Sequence, residues 1–165
     1  TDLVIRPFKP SDFNFIIATW LNHYKSHSYF AKRIKHSLYF KWHNKVIQNI
    51  FNKPETSCLI LHEPNEPEVI FGFFVFERRD PAIMHFVFIK EELRGIGLGT
   101  RIVEAANLSQ DNIQFSHWTY PMNDIICLLY TSDAADDLLC VDLGGCRTIK
   151  KKNKITQTYM YTPIH

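Results

Sequence analysis

The sequence predicts an α/β (α+β) fold, a mixed and mostly antiparallel central sheet with helices on both faces. Three observations carry this reading. Two amphipathic helical stretches, 13–24 and 37–50, come first. Three apolar runs of strand length follow, 57–62, 69–77 and 82–89, separated by turn-rich segments at 64–67 and 79–81. The third run then passes through a glycine-alternating loop and a helical stretch into one more alternating strand, 113–118. Strands joined by short turns pair antiparallel, whereas a strand–helix–strand crossover adds a parallel neighbour.

Each element has a local cause. Residues 3–6 form a short apolar strand, and Pro7 with Lys9, Pro10, Ser11 and Asp12 makes a turn in which Ser11 or Asp12 is placed to cap a helix. In the first helix Phe13, Ile16, Ile17, Trp20 and Leu21 fall on one face. In the second, Phe40, Val46, Ile47 and Ile50 do the same, and Asn52-Lys53-Pro54 stops it. A third helix spans 97–108, and Asp111-Asn112 turns the chain into the fifth strand.

Composition narrows the class. At 165 residues, 45% hydrophobic and 14% aromatic, the chain can bury one substantial core, so disorder is excluded and one domain is expected. Residues 1–126 carry 14 Lys and Arg against 13 Asp and Glu, a net charge of +1, which disfavours a nucleic-acid partner for the body. No apolar run approaches the roughly 20 residues that span a bilayer, and no signal-peptide pattern opens the chain, so no membrane partner and a cytoplasmic location are expected.

The loop carries the chemistry. Arg94-Gly95-Ile96-Gly97-Leu98-Gly99 follows an apolar strand and leads into a helix at Thr100. A glycine loop at a helix start directs several backbone N–H groups at one point, which suits phosphate. A P-loop is excluded because Leu98-Gly99-Thr100 lacks its lysine. A dinucleotide fingerprint is excluded because the spacing is Gly-x-Gly-x-Gly and lies past mid-chain.

The run Arg94 to Gly99 resembles the Arg/Gln-x-x-Gly-x-Gly/Ala signature of the Gcn5-related N-acetyltransferases (GNAT family), and the order of elements over residues 3–126 agrees. The resemblance implies an N-acetyltransferase whose co-substrate is acetyl-coenzyme A, with an amine as acceptor and direct attack in a ternary complex. It implies that Arg94, Gly95, Ile96, Gly97, Leu98, Gly99 and Thr100 hold the pyrophosphate. The strand before the loop would be splayed from its neighbour, with Val87, Phe88 and Ile89 nearest the pantetheine, and a backbone N–H of Val87 or Phe88 would polarise the acetyl carbonyl. The family often has a proline between strand and loop; here Lys90-Glu91-Glu92-Leu93 stands there. A further helix and two strands complete the family's sheet, beginning here near residues 122–126, so the fold is read as C-terminally truncated.

A base must take the amine's proton, and a carboxylate or histidine working through water suffices. Three residues qualify: His85, two residues from Val87 and therefore on its face; His117, on the adjacent strand; and Glu77, at the end of the preceding one. Each also fits a structural hydrogen bond. The family's usual general acid is a tyrosine after the fifth strand; Tyr130 falls in that region and Tyr120 comes early, so the acid stays unassigned.

The acceptor site would be formed by the two N-terminal helices and the loop 25–37. That stretch carries Lys25, Lys32, Arg33 and Lys35, with His23, His27, His36 and His43 nearby and Tyr24, Tyr29, Phe30, Tyr39 and Trp42 interleaved. The histidine spacing matches no zinc pattern, and no metal is expected. Two rival readings remain beside the transferase. One is an acyl-coenzyme A-sensing module without turnover, and the other a nucleic-acid-associated protein using the basic, aromatic segment 23–43.

The segment from Cys127 to Asp137, with Cys140 to Gly145 and Lys150 to Lys152 after it, resembles a translated transposase-type sequencing adapter. We therefore read 1–126 as the acetyl-coenzyme A-binding domain and 127–165 as a non-native tail from an environmental assembly. Cys127, Cys140 and Cys146 then carry no functional weight, and Cys58 remains as a small core residue.

Overall fold

A computed structural model describes residues 2–28, 31–108, 112–117, 119, 147–150 and 156–157. In chain order the elements are β1 (Val4–Pro7), α1 (Phe13–His27), α2 (His36–Phe51), β2 (Thr56–Glu63), β3 (Glu66–Glu77), β4 (Ala82–Ile89), α3 (Leu98–Ala105), β5 (Asn112–Phe115), β6 (Arg147–Lys150) and β7 (Thr156–Gln157). The sheet runs β1-β2-β3-β4-β5-β6-β7, and every neighbouring pair is antiparallel except the parallel β4–β5 pair. The mixed, mostly antiparallel sheet is the expected one. β6 and β7 extend it beyond β5, within the part of the chain that the sequence reading sets apart as a tail.

Two apolar layers sandwich the sheet. On one face Trp20 and Leu21 of α1 and Ile47 and Ile50 of α2 pack on Ile60, Phe73, Val75, Phe86 and Phe88. On the other, Ile102 and Val103 of α3 pack on Leu61, Phe74, Phe76, Met84, Val87 and Phe115. Alternation along β3 feeds the two layers in turn, as a strand covered on both faces requires. Cys58 lies in the helix-pair layer, buried as expected.

Boundaries moved where side-chain contacts or unusual backbone conformations intervened. Asp12 sits at the start of α1, but its carboxylate does not cap the helix. It turns back to accept from Arg6 Nη1 and Nη2 at 2.8 and 2.9 Å and from the Lys9 N–H at 2.8 Å, because a bidentate ion pair outcompetes a single cap bond. α3 ends earlier than its apolar spacing suggests, with Asn107 at φ 50° just beyond it. Gly72 allows β3 and β4 to approach: a Cβ there would lie 2.6 Å from the Phe88 carbonyl oxygen.

One irregularity matters for the site. Val75 pairs with Phe86, but Phe76 pairs with Met84, so His85 is an extra residue, a bulge in β4. Met84 and Val87 both face α3, while Phe86 and Phe88 face α1 and α2. The expectation that His85 shares the face of Val87 is therefore overturned. His85 points to the helix-pair side, where its ring lies 6.4 Å from that of Trp20.

Candidate functional site

β4 and β5 hold together only briefly. Their ladder comprises Ala82–Ile113, Ile83–Gln114 and Met84–Phe115, and the Ser116 N–H adds a last bond to the Met84 carbonyl at 3.2 Å. Beyond this point no β4–β5 pair exists among the described residues. Among the described residues, Phe86 to Ile89 thus have strand partners on the β3 side alone, and the β4–β5 ladder ends beside Ser116. The fifth strand was expected to run to residue 118. It stops at Phe115 because the chain bends at Ser116 and His117.

The glycine loop sits at the far end of the same β4. Gly95 and Gly97 have φ of 80° and 85°, left-handed values that favour glycine, and a Cβ built at either would meet no atom within 4 Å. The glycines therefore serve backbone direction and leave open room, not tight packing. Gly97 precedes α3 and its carbonyl accepts the first helical bond, from Arg101 N–H at 3.0 Å. Leu98, Gly99 and Thr100 form the first turn, whose N–H groups have no intrahelical partner. Ile96 is 70% exposed. Arg94 turns back onto the strand: its Nε donates to the Ile89 carbonyl at 2.8 Å, and its Cζ lies 6.0 Å from the Phe88 ring centre. Glycine backbone and arginine together fit an anionic group, with the arginine bracing loop against strand.

The three candidate bases meet in one hydrogen-bonded chain on the α1–α2 side. His85 Nε2 is 2.9 Å from Glu77 Oε1, and His85 Nδ1 is 2.5 Å from Ser116 Oγ. Ser116 Oγ is 2.7 Å from His117 Nδ1, and His117 Nε2 is 2.8 Å from His43 Nε2 on α2. At the other end Lys53 Nζ donates to Glu77 Oε1 at 3.0 Å, and Arg79 Nε lies 3.6 Å from Oε2. Lys53 and Arg79 are half exposed, whereas Glu77, His85 and His117 are buried.

Charge follows from this burial. Desolvation alone would raise the Glu77 carboxyl, but hydrogen bonds from His85 and Lys53 outweigh it and hold the group below the ordinary carboxylate range. Burial pushes His85 down to about 4 in spite of Glu77, and His43 likewise to about 4. His117, fully buried and close to His43 and His85, is pushed well below its usual value. At neutral pH the chain holds one anion and three neutral imidazoles.

Aromatic rings wall this chain. Trp20 stacks on Phe86 at 5.1 Å and meets His117 edge-on at 5.0 Å. His43 stacks against Tyr24 at 5.0 Å and Tyr39 at 5.1 Å. Trp20 Nε1 and Gln114 Oε1 are buried polar atoms with no partner among the described residues. Farther along α1, His23 lies 4.7 Å from Phe88, so this end of β4 also has an imidazole over it.

The basic segment is less open than its composition suggests. Lys25 donates to the Ala31 carbonyl at 2.7 Å and also to that of Ile34, and it lies over the Tyr39 ring, so it ties the α1–α2 connection together. Tyr39 is buried and donates its hydroxyl to the Leu21 carbonyl at 2.7 Å. Tyr29, Phe30, Tyr120, Tyr130 and the cysteines at 127, 140 and 146 lie outside the described residues. Among the described residues, no group of three His, Cys, Asp or Glu is placed to hold a metal ion, and no helix is long and apolar enough to cross a membrane.

Comparison with solved structures shows the same architecture. The fold is that of the GNAT acetyltransferases. A histone acetyltransferase and related acetyltransferase from Corynebacterium glutamicum aligns over 79% of this chain and 84% of its own, with 14% identity and a TM-score of 0.59. A GNAT-family acetyltransferase from Staphylococcus aureus aligns over 81% and 82%, with 12% identity and a TM-score of 0.50. The PaiA N-acetyltransferase of Thermoplasma acidophilum, a complex with coenzyme A, aligns over 70% and 79%, with 13% identity and a TM-score of 0.51. No protein-family model and no curated protein matches the sequence.

Ser116, Lys53 and Arg79 are site residues that sequence reasoning passed over. Ser116 had one usable signal, since it alternates with Ile113 and Phe115 and so faces the helix pair. Lys53 and Arg79 gave none, being a helix-end lysine and a turn arginine like many others.

Proposed function

We propose that this chain is an N-acetyltransferase that carries acetyl from acetyl-coenzyme A to an amine by direct attack in a ternary complex. The observation that carries this reading is the parting of β4 from β5 at Met84 and Ser116, with a positive-φ glycine loop at the other end of the freed strand. An extended donor molecule needs this layout: a backbone edge along its length and an anion cradle at its end. Acetyl-coenzyme A supplies an activated thioester carbonyl.

The residues then divide the work. N–H groups of Gly95 to Thr100 hold the pyrophosphate, with Arg94 fixing the loop to Ile89. The backbone groups of Val87 and Ile89, which point away from β3, bond the pantetheine, and the N–H of Val87 polarises the thioester carbonyl, whereas the backbone of Phe88 is taken up by β3. His117, His85 and Glu77 lie where the strands part and serve the proton leaving the amine. We assign this work to residues 1–126 and read 127–165 as adapter-derived, on the residue match given above; resequencing the source DNA across codons 120–130 tests that boundary, and continuous reads without a junction would overturn it.

Calorimetric titration with acetyl-coenzyme A, followed by thiol release with a panel of amines, tests the activity. Binding with amine-dependent release supports the transferase. Binding without release on any amine supports the sensing module, and no binding removes both.

A further inference from the structure

The order of donors in the hydrogen-bonded chain can be worked out from one end. An ionised carboxylate only accepts, so His85 Nε2 must carry the proton that points at Glu77. A neutral imidazole has one N–H, which makes His85 Nδ1 an acceptor, and the Ser116 hydroxyl must donate to it. With its one proton committed, Ser116 Oγ accepts from His117 Nδ1. His117 Nε2 is then an acceptor, and His43 donates to it from Nε2. His43 Nδ1 is left with a lone pair and no hydrogen-bond partner among the described residues, in a residue of intermediate exposure. Each link has a single donor, so the charge at one end decides the state at the other.

We propose that Glu77 acts as a positioning residue, setting the tautomer of His43 through His85, Ser116 and His117, so that His43 presents an unprotonated Nδ1 to the N–H of the acceptor amine. Two features support this beyond the distances. First, the chain crosses the point where β4 and β5 part, since Ser116 contributes both the last backbone bond to Met84 and the middle link of the side-chain series. Second, His43 stacks on Tyr24 and Tyr39, which hold the ring plane while the chain holds its proton. The first half of the inference concerns this chain's own residues; the second rests on the acetyltransferase reading.

Imidazole 15N NMR of the full chain at pH 7 reads the tautomers without any ligand. The expected state is N–H at Nε2 of His85 and His43 and at Nδ1 of His117. Ser116→Ala should leave His85 unchanged, because Glu77 still accepts from it, while His117 and His43 lose their single tautomer; Ser116→Thr should restore them. A different tautomer at any of the three in the native chain, or an unchanged His43 in Ser116→Ala, would overturn the inference. With an amine that the chain acetylates, Ser116→Ala should raise KM for the amine by about tenfold, the worth of one misdirected hydrogen bond, and leave acetyl-coenzyme A affinity unchanged. An unchanged amine KM would overturn the presentation of Nδ1. If no amine is acetylated, the transferase reading falls, while the tautomer result still decides whether the state of His43 is set through His85, Ser116 and His117.

Discussion

His85 Nε2 lies 2.9 Å from Glu77 Oε1, and the β4 bulge at His85 is what puts its ring on the side of the sheet that Glu77 and Phe86 share. A regular strand would have kept every second residue on one face, and either His85 or Phe86 would have faced α3. The bulge thus places a polar residue beside Trp20 and Ser116 while the strand beyond it resumes the alternation that packs Val87 and Phe88 on opposite layers.

Acid should unfold this protein from an unusually high pH. His85, His43 and His117 have folded-state values depressed below the roughly 6.5 of an unfolded chain, so the unfolded state binds protons first as pH falls. Stability is fully present above about 6.5 and is lost between there and about 4, by about 1.4 kcal/mol per pH unit for each proton taken up. Glu77, also depressed, adds a further loss at lower pH, as its paired carboxylate is protonated. The groups facing these imidazoles are Glu77, Lys53 and Arg79 at one end and Tyr24 and Tyr39 at the other. Melting temperature from pH 8 to 4.5 should be flat and then drop steeply below 6.5, and His43→Phe should shallow the drop. A profile flat to pH 5 would contradict the assignment.

Gly72 is required by close approach. Alanine would bring its Cβ to 2.6 Å from the Phe88 carbonyl oxygen and 2.7 Å from Ile89 Cδ1, so the β3–β4 ladder must give. Gly72→Ala should cost about 1–3 kcal/mol in urea unfolding, as overpacking does. A change under about 0.5 kcal/mol would show that the strands shift freely, since that is the range of a neutral surface substitution.

Gly97 separates backbone need from charge. At φ 85° asparagine is the best tolerated replacement, so Gly97→Asn should lower stability slightly and coenzyme A affinity little. Gly97→Glu adds the same kind of strain plus a negative charge beside the proposed pyrophosphate, and affinity should fall at least about tenfold relative to Gly97→Asn. Equal affinities for the two variants, measured by calorimetry, would remove the phosphate from this loop.

Arg94 should matter through Ile89. Arg94→Lys keeps the charge but cannot reproduce the planar guanidinium's Nε bond to that carbonyl, so it should weaken coenzyme A binding nearly as much as Arg94→Met. Full affinity in Arg94→Lys would show that charge alone is used.

Much of this architecture was legible in the sequence because it depends on periodicity. The helical faces built on Ile16, Trp20, Leu21, Ile47 and Ile50, the alternating Phe73 to Phe76, and the turn residues between strands all signal locally. The glycine loop was legible for the same reason, as Gly95 and Gly97 answer a local backbone demand. The hydrogen-bonded chain was not. Its links join residues 31 and 74 positions apart, and its geometry hinges on a bulge that shifts the face of His85 by one residue without any proline or glycine to announce it. The capping role expected of Asp12 failed likewise, because Arg6 competes from another element.

The most direct measurement is release of free coenzyme A thiol from acetyl-coenzyme A by the purified chain, with and without each of a panel of amines. Release should saturate with acetyl-coenzyme A, depend on an amine, and be lost in Gly97→Glu. No amine-dependent release by a chain that calorimetry shows to bind acetyl-coenzyme A would contradict it.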